Sequence, residues 1–220
     1  MKAFFRLGKN PSPKTKQKQR RMAVKQEFFD IRDKNGDITG EIKERSQVHK
    51  DGDFHGTVHI WVVKKTVKGY DVLLQKRSKD KDSFPECYDI SSAGHLEAGH
   101  DYLETAIREL SEELGIWATQ EELEFFGFHE GFVETEFYGE PFVNHEISAM
   151  YLYHIDPDKT KLCLQADEVE TVEFFDYMEG RKLIKNNRIR HCIFQDEYDA
   201  LGEKLGLQVT GNVRNNCEKK

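Results

Sequence analysis

The chain has 220 residues, 37% of them apolar, with 15 Phe and 8 Tyr, enough to bury one core and too much for a disordered polymer. Forty acidic residues against 33 basic give a net charge of -7, a mixed surface without the basic face of a duplex binder, so no nucleic acid polymer is expected as partner. The longest apolar runs, such as Ile60-Trp61-Val62-Val63, are far too short to span a bilayer, and Cys87, Cys163, Cys192 and Cys217 fit neither a disulfide framework nor a zinc knuckle. A cytoplasmic protein with reduced thiols and no membrane partner is expected.

Residues 1–25 read as a basic, disordered tail. Phe4-Phe5-Arg6-Leu7 is too short for a signal-peptide core, and the basic run from Lys14 to Arg21 follows it instead of preceding it. The folded body begins near Gln26, with a short strand at Glu27-Phe28-Phe29-Asp30-Ile31 and a tight turn at Asn35-Gly36. The polar stretch from Gly40 to Asp53 reads as a surface loop. Gly56 to Lys65 and Tyr70 to Lys76 are strands joined by a hairpin at Lys68-Gly69. A charged loop with Pro85 runs from Ser78 to Tyr88.

Leu103, Ile107, Leu110 and Leu114 then mark one stripe of a helix over 101–114. Asp101 with Glu104 resembles a capping box, and Gly115 supplies the stop. Strands follow at Glu124 to Val133, Phe142 to Ile155 and Val169 to Asp176, with a turn at Tyr138-Gly139-Glu140-Pro141. Phe194, Tyr198, Leu201 and Leu205 stripe a last helix, and 207–220 reads as a frayed tail. This order suggests a mixed α/β sandwich in place of alternating βαβ units.

On the far side of the 101–114 helix, Glu109, Glu112 and Glu113 stand at i, i+3 and i+4 and project together from adjacent turns. Such a face is either solvated or a site for a hard cation, which takes oxygen ligands and shares them with substrate phosphates. Spacing alone leaves both open.

The wider context resembles the Nudix signature. Gly94-His95-Leu96-Glu97-Ala98-Gly99-His100 is followed by Arg108-Glu109-Leu110-Ser111-Glu112-Glu113-Leu114-Gly115-Ile116. Every named position of the signature is matched except its first Glu, which is His100 here. The resemblance implies an α/β/α sandwich with a mixed sheet over residues 26–206. It also implies Mg²⁺ or Mn²⁺ on Glu109, Glu112 and Glu113, with Arg108 pairing a carboxylate, and hydrolysis of a small-molecule diphosphate such as a nucleoside diphosphate derivative. His100 brings no negative charge, which puts metal affinity or rate in question.

A second resemblance is to the isopentenyl-diphosphate isomerase branch of that family. His49, His55 and His95 match three metal-binding histidines and Glu146 one glutamate, while Asn144 stands where the other would be. This implies a second metal site. His59 is a bystander or a substitute ligand. The isomerase cysteine is replaced by Ala93, and Cys87 lies six residues upstream, so isomerase chemistry is the lesser expectation. A non-catalytic ligand-binding module is the third. Around the site, Lys76 and Arg77 are candidates for phosphate oxygens, and Gly94 for substrate contact. Phe128, Phe132, Phe137 and Tyr138 are candidates for a stacking wall. A homodimer is an allowed assembly.

Overall fold

The Val- and Ile-rich segment Phe54–Thr66 forms β3, the strand on which the fold is organised, and it is buried from residue 55 through 63. A strand buried on both faces needs a layer on each side. Val58, Ile60 and Val62 face one layer, where they pack with Leu110 and Leu114. Trp61 and Val63 face the other, against Tyr198 and Leu201. The result is the expected α/β/α sandwich.

The computed structural model describes residues 26–208. The sheet is mixed. β8 (Glu140–His154) runs parallel to β3, while β1 (Phe28–Arg32), β4 (Gly69–Arg77) and β6 (Ser92–His95) run antiparallel to it. β7 (Leu123–Phe137) is the hairpin partner of β8, and β5 (Tyr88–Asp89) and β9 (Val169–Asp176) pair with β4. Tyr138 and Gly139 close the β7–β8 hairpin with positive φ, 56° and 85°, as a two-residue turn between twisted strands requires. The expected four-residue turn is therefore shorter, and Pro141 lies within β8.

The glutamate-bearing helix is α2 (Tyr102–Leu114). Asp101 caps it by accepting from the Leu103 and Glu104 amides, and Gly115 ends it in the left-handed region. Two further helices, α3 (Tyr177–Lys185) and α4 (Gln195–Lys204), cover the opposite face. α3 is not foreseen from the sequence; nine residues carry too little periodicity to announce it.

The expected loop over 40–53 is instead β2 (Ile38–Glu44) and α1 (Arg45–Asp51). β2 is exposed on both faces, so it lacks the alternation that betrays a strand. α1 spans only two turns, held by the Glu44 side chain on the Ser46 amide and by left-handed Gly52. The tail at 1–25, Cys217 and most of 207–220 lie outside the described residues.

Candidate functional site

Register brings the site together. β6 sets His95 opposite Thr57, Gly94 opposite Val58 and Ala93 opposite His59 on one side of β3. On the other side β8 sets Glu146 opposite His55. α2 lies over β6, and the resulting cavity of about 270 Å³ is lined by residues of α1, β3, β6, α2, β8 and the start of α4.

The α2 glutamates form one wall. Glu113 is buried; its carboxylate accepts from the Ala93 amide at 3.2 Å and from Gln75 Nε2 at 3.3 Å. Burial pushes its pKa up to about 7. Burial, reinforced by Glu113 and Glu112 against the opposing pull of Arg108, pushes Glu109 to about 8. Arg108 bridges the cluster, 2.8 Å from Glu109 Oε1 and 3.0 Å from Glu112 Oε2. Gly94 is required by this packing, because a β-carbon there would overlap the Glu109 carboxyl. Arg108 only partly offsets this clustered acidity, since burial still holds both carboxyls above their ordinary range, and a divalent ion fits such a site. His100 is exposed and off the cavity, whereas Glu97, three residues earlier, lines it beside Arg108.

Imidazole forms the second feature: His49 and His95 line the cavity, and His55 adjoins them. His49, His55 and His95 come from α1, β3 and β6, and one ring nitrogen of each lies within 4.8 Å of the others. Phe29 stacks on His95 and His55 with centroids at 4.7 and 5.4 Å, and Phe142 stacks on His49 at 4.7 Å. Burial lowers all three pKa values, that of His49 to about 3, so the rings are neutral. His55 Nδ1 lies 2.9 Å from the Asp53 carbonyl oxygen and donates to it, which leaves the Nε2 lone pair free. Nε2 of His55 and of His49 are buried with no hydrogen-bond partner among the described residues. Neutral imidazoles with orphaned inward lone pairs fit a metal ion. Glu146 borders the cluster without belonging to its tight core. It acts electrostatically on His55, and its Oε2 accepts from Asn144 Nδ2 at 2.8 Å.

Behind Glu146 stands a group the sequence did not announce. His59 Nδ1 is 3.0 Å from both oxygens of Glu197, and Trp61 Nε1 donates to Glu197 Oε1 at 2.9 Å. His59 Nε2 lies 3.6 Å from Glu146 Oε1. Burial alone would lower the His59 pKa, but Glu197 and then Glu146 outweigh it and push it up to about 9.

Several expectations about the rim are corrected. Lys76 points away from the cavity and pairs with Glu170 at 3.2 Å, because strand alternation puts it on the opposite face from Arg77. Arg77 lines the cavity, tied to Asp89 at 2.9 Å. Arg45, on the unforeseen helix α1, and Lys81, in the charged loop after β4, are further lining cations. Phe128, Phe132 and Tyr138 are exposed and Phe137 packs behind Phe84 and Phe142; the lining aromatics are Phe84, Phe142 and Phe194.

A family model described as NUDIX domain matches residues 53–195. The chain is 40% identical over 182 residues to Nudix hydrolase 3 of Arabidopsis thaliana, a match covering 81% of this chain and 22% of that protein. It is 38% identical over 146 residues to an uncharacterized Nudix hydrolase of Clostridium acetobutylicum, covering 66% of this chain and 68% of that one. The chain thus spans about a fifth of the plant relative's length. Its fold is similar to the crystal structure of DR0079 from Deinococcus radiodurans, with a TM-score of 0.58 at 15% identity, covering 79% of this chain and 98% of that one. No helix among the described residues is long and apolar enough to cross a membrane.

Proposed function

The chain belongs to the Nudix family, and from that premise we propose a divalent-metal-dependent hydrolase that cleaves the diphosphate linkage of a small molecule, such as a nucleoside diphosphate derivative. The observation that carries the reading is the pair of carboxyls facing one cavity, buried Glu113 and partly buried Glu109, raised to about 7 and about 8 where the wall is stripped to glycine beside them.

In this reading Glu109, Glu112 and Glu113 hold Mg²⁺ or Mn²⁺. When bound, the metal neutralises diphosphate charge and makes water a better nucleophile. Arg108 keeps Glu109 and Glu112 turned to a common point. Gln75 and the Ala93 amide fix the Glu113 carboxylate, so it needs no reorganisation when substrate arrives. Gly94 admits the Glu109 carboxyl against the backbone. Arg45, Lys81 and Arg77 line the cavity, paired with Glu27, Glu168 and Asp89, and offer positive charge to the phosphate oxygens. His49, His55 and His95, with Glu146 at their edge, hold a second ion. Imidazole ligands favour a transition metal there over Mg²⁺.

The test is product analysis over nucleoside diphosphate sugars, nucleoside di- and triphosphates, dinucleoside polyphosphates, thiamine diphosphate and isopentenyl diphosphate, with Mg²⁺ or Mn²⁺. Metal-dependent release of phosphate or a monophosphate is the expected result. Isomer formation with the diphosphate intact would favour the isomerase reading despite Ala93. No turnover with metal still bound would favour a ligand-binding module.

A further inference from the structure

Three ionisable side chains are buried in a row behind the histidine cluster: Glu146, His59 and Glu197, exposed by only 8%, 8% and 1%. Burying charges costs several kcal/mol per ion unless each is paired and hydrogen-bonded, and apolar residues of similar volume often give equal or better stability. The row is nevertheless built with care. The Glu197 carboxylate is gripped by His59 Nδ1 and Trp61 Nε1, and His129 Nδ1 lies 3.7 Å from its Oε2. With Nδ1 pinned, the His59 ring has one orientation, and it aims Nε2 at Glu146 Oε1. Asn144 holds the other oxygen of Glu146. Glu146 thus accepts a hydrogen bond from Asn144 on one oxygen and faces His59 at 3.6 Å on the other, beside His55, whose Nε2, like that of His49, is buried with no hydrogen-bond partner among the described residues.

Glu197 sits in the first turn of α4, two residues beyond the segment that the family model matches. Among the described residues its hydrogen bonds and ion pairs go to His59, Trp61 and His129 and not to the three histidines of the cluster, so its geometry suits it to fix a neighbouring side chain in place.

We propose that Glu197 is a positioning residue for the histidine metal site: through His59 it holds the Glu146 carboxylate at the border of the His49, His55 and His95 cluster, where its negative charge supports the bound ion. The inference rests on the second-ion reading above. Groups that orient a metal ligand typically change metal affinity by about 10- to 100-fold when removed, and a loss of that order is expected here.

Co²⁺ is the probe, because its visible absorption reports ligand type and geometry without turnover. The full chain is titrated as wild type, His55→Ala, Glu197→Gln and His59→Asn, with circular dichroism and thermal melting recorded on each. The expected result is a nitrogen-ligand Co²⁺ band in wild type that His55→Ala abolishes. In Glu197→Gln and His59→Asn that band shifts, and Co²⁺ binding weakens by at least about tenfold while the fold is kept. A wild-type spectrum identical to that of His55→Ala would remove the second-ion reading itself. A His55-dependent band whose affinity and shape are unchanged in a folded Glu197→Gln would overturn the positioning role alone. Should Glu197→Gln not fold, His59→Asn decides, since it breaks the same link nearer the cavity.

Discussion

Gly94→Ala isolates the closest packing in the site. Gly94 does not occupy the left-handed region, so alanine brings no backbone strain, only one β-carbon. That carbon falls on the Glu109 carboxyl, and restoring van der Waals separation requires a displacement on the order of 1 Å. Overpacking of this kind costs about 1–3 kcal/mol of stability. The consequence for function is larger, because a misplacement of about 1 Å at a catalytic centre can cost roughly 100-fold in rate. Glu109 cannot simply swing clear, since Arg108 tethers it at 2.8 Å and Glu113 stands one turn on. The assay is kcat/KM with saturating Mg²⁺, beside urea unfolding and Mn²⁺ titration. A fall of about two orders of magnitude in kcat/KM, with weakened Mn²⁺ binding in a folded protein, is expected. An alanine variant with wild-type kcat/KM and metal affinity would refute the argument that Gly94 exists to admit the Glu109 carboxylate.

The metal-free protein should lose thermal stability as pH rises from about 7 to 9. Glu109 and Glu113 have folded-state pKa values of about 8 and about 7, raised from an ordinary 4.5, so their contribution is present below the ordinary value and is lost as pH passes the folded ones. His59, raised to about 9, adds a loss of the same sign, while the lowered histidines have finished contributing by about pH 7. Added Mg²⁺ should flatten the slope, and melting temperatures that rise over this range without metal would sink the assignment. His100→Glu should leave activity unchanged or raise it, as His100 is exposed and off the cavity; a large loss of kcat/KM would give His100 a role of its own. Asn144→Glu exchanges the amide that donates to Glu146 Oε2 for a second carboxylate beside the histidine cluster, and the added negative charge should outweigh the lost hydrogen bond and tighten Co²⁺ binding measured by absorption. Weaker binding in that variant would place the second ion elsewhere.

The parts of this molecule that could be read from the sequence are those whose signal is local. α2 announces itself through the Leu103–Leu114 stripe, the Asp101 cap and the Gly115 stop, and its glutamates follow by spacing alone. β3 is a long β-branched run. Resemblance points to the three histidines, and the sheet register brings two of them together: His55 and His95 lie on neighbouring strands, two positions out of register. Glu197 could not be found that way, because it lies 138 residues from His59 and nothing local sets it apart from a solvated helix face. Arg45 was hidden by a helix too short to show a period. Lys76 and the β7 aromatics were misplaced for a different reason. Alternation says which neighbours share a face, but only the tertiary fold says which face borders the cavity.

The central claim, metal-dependent cleavage of a diphosphate by the α2 glutamates, is tested most directly by phosphorus NMR of the substrate panel with wild type and Glu112→Gln side by side. The account predicts Mn²⁺- or Mg²⁺-dependent loss of diphosphate resonances and growth of monophosphate or phosphate with wild type, abolished by chelation and in a folded Glu112→Gln. Full activity in Glu112→Gln, or diphosphate left intact by a metal-loaded wild type, would contradict it.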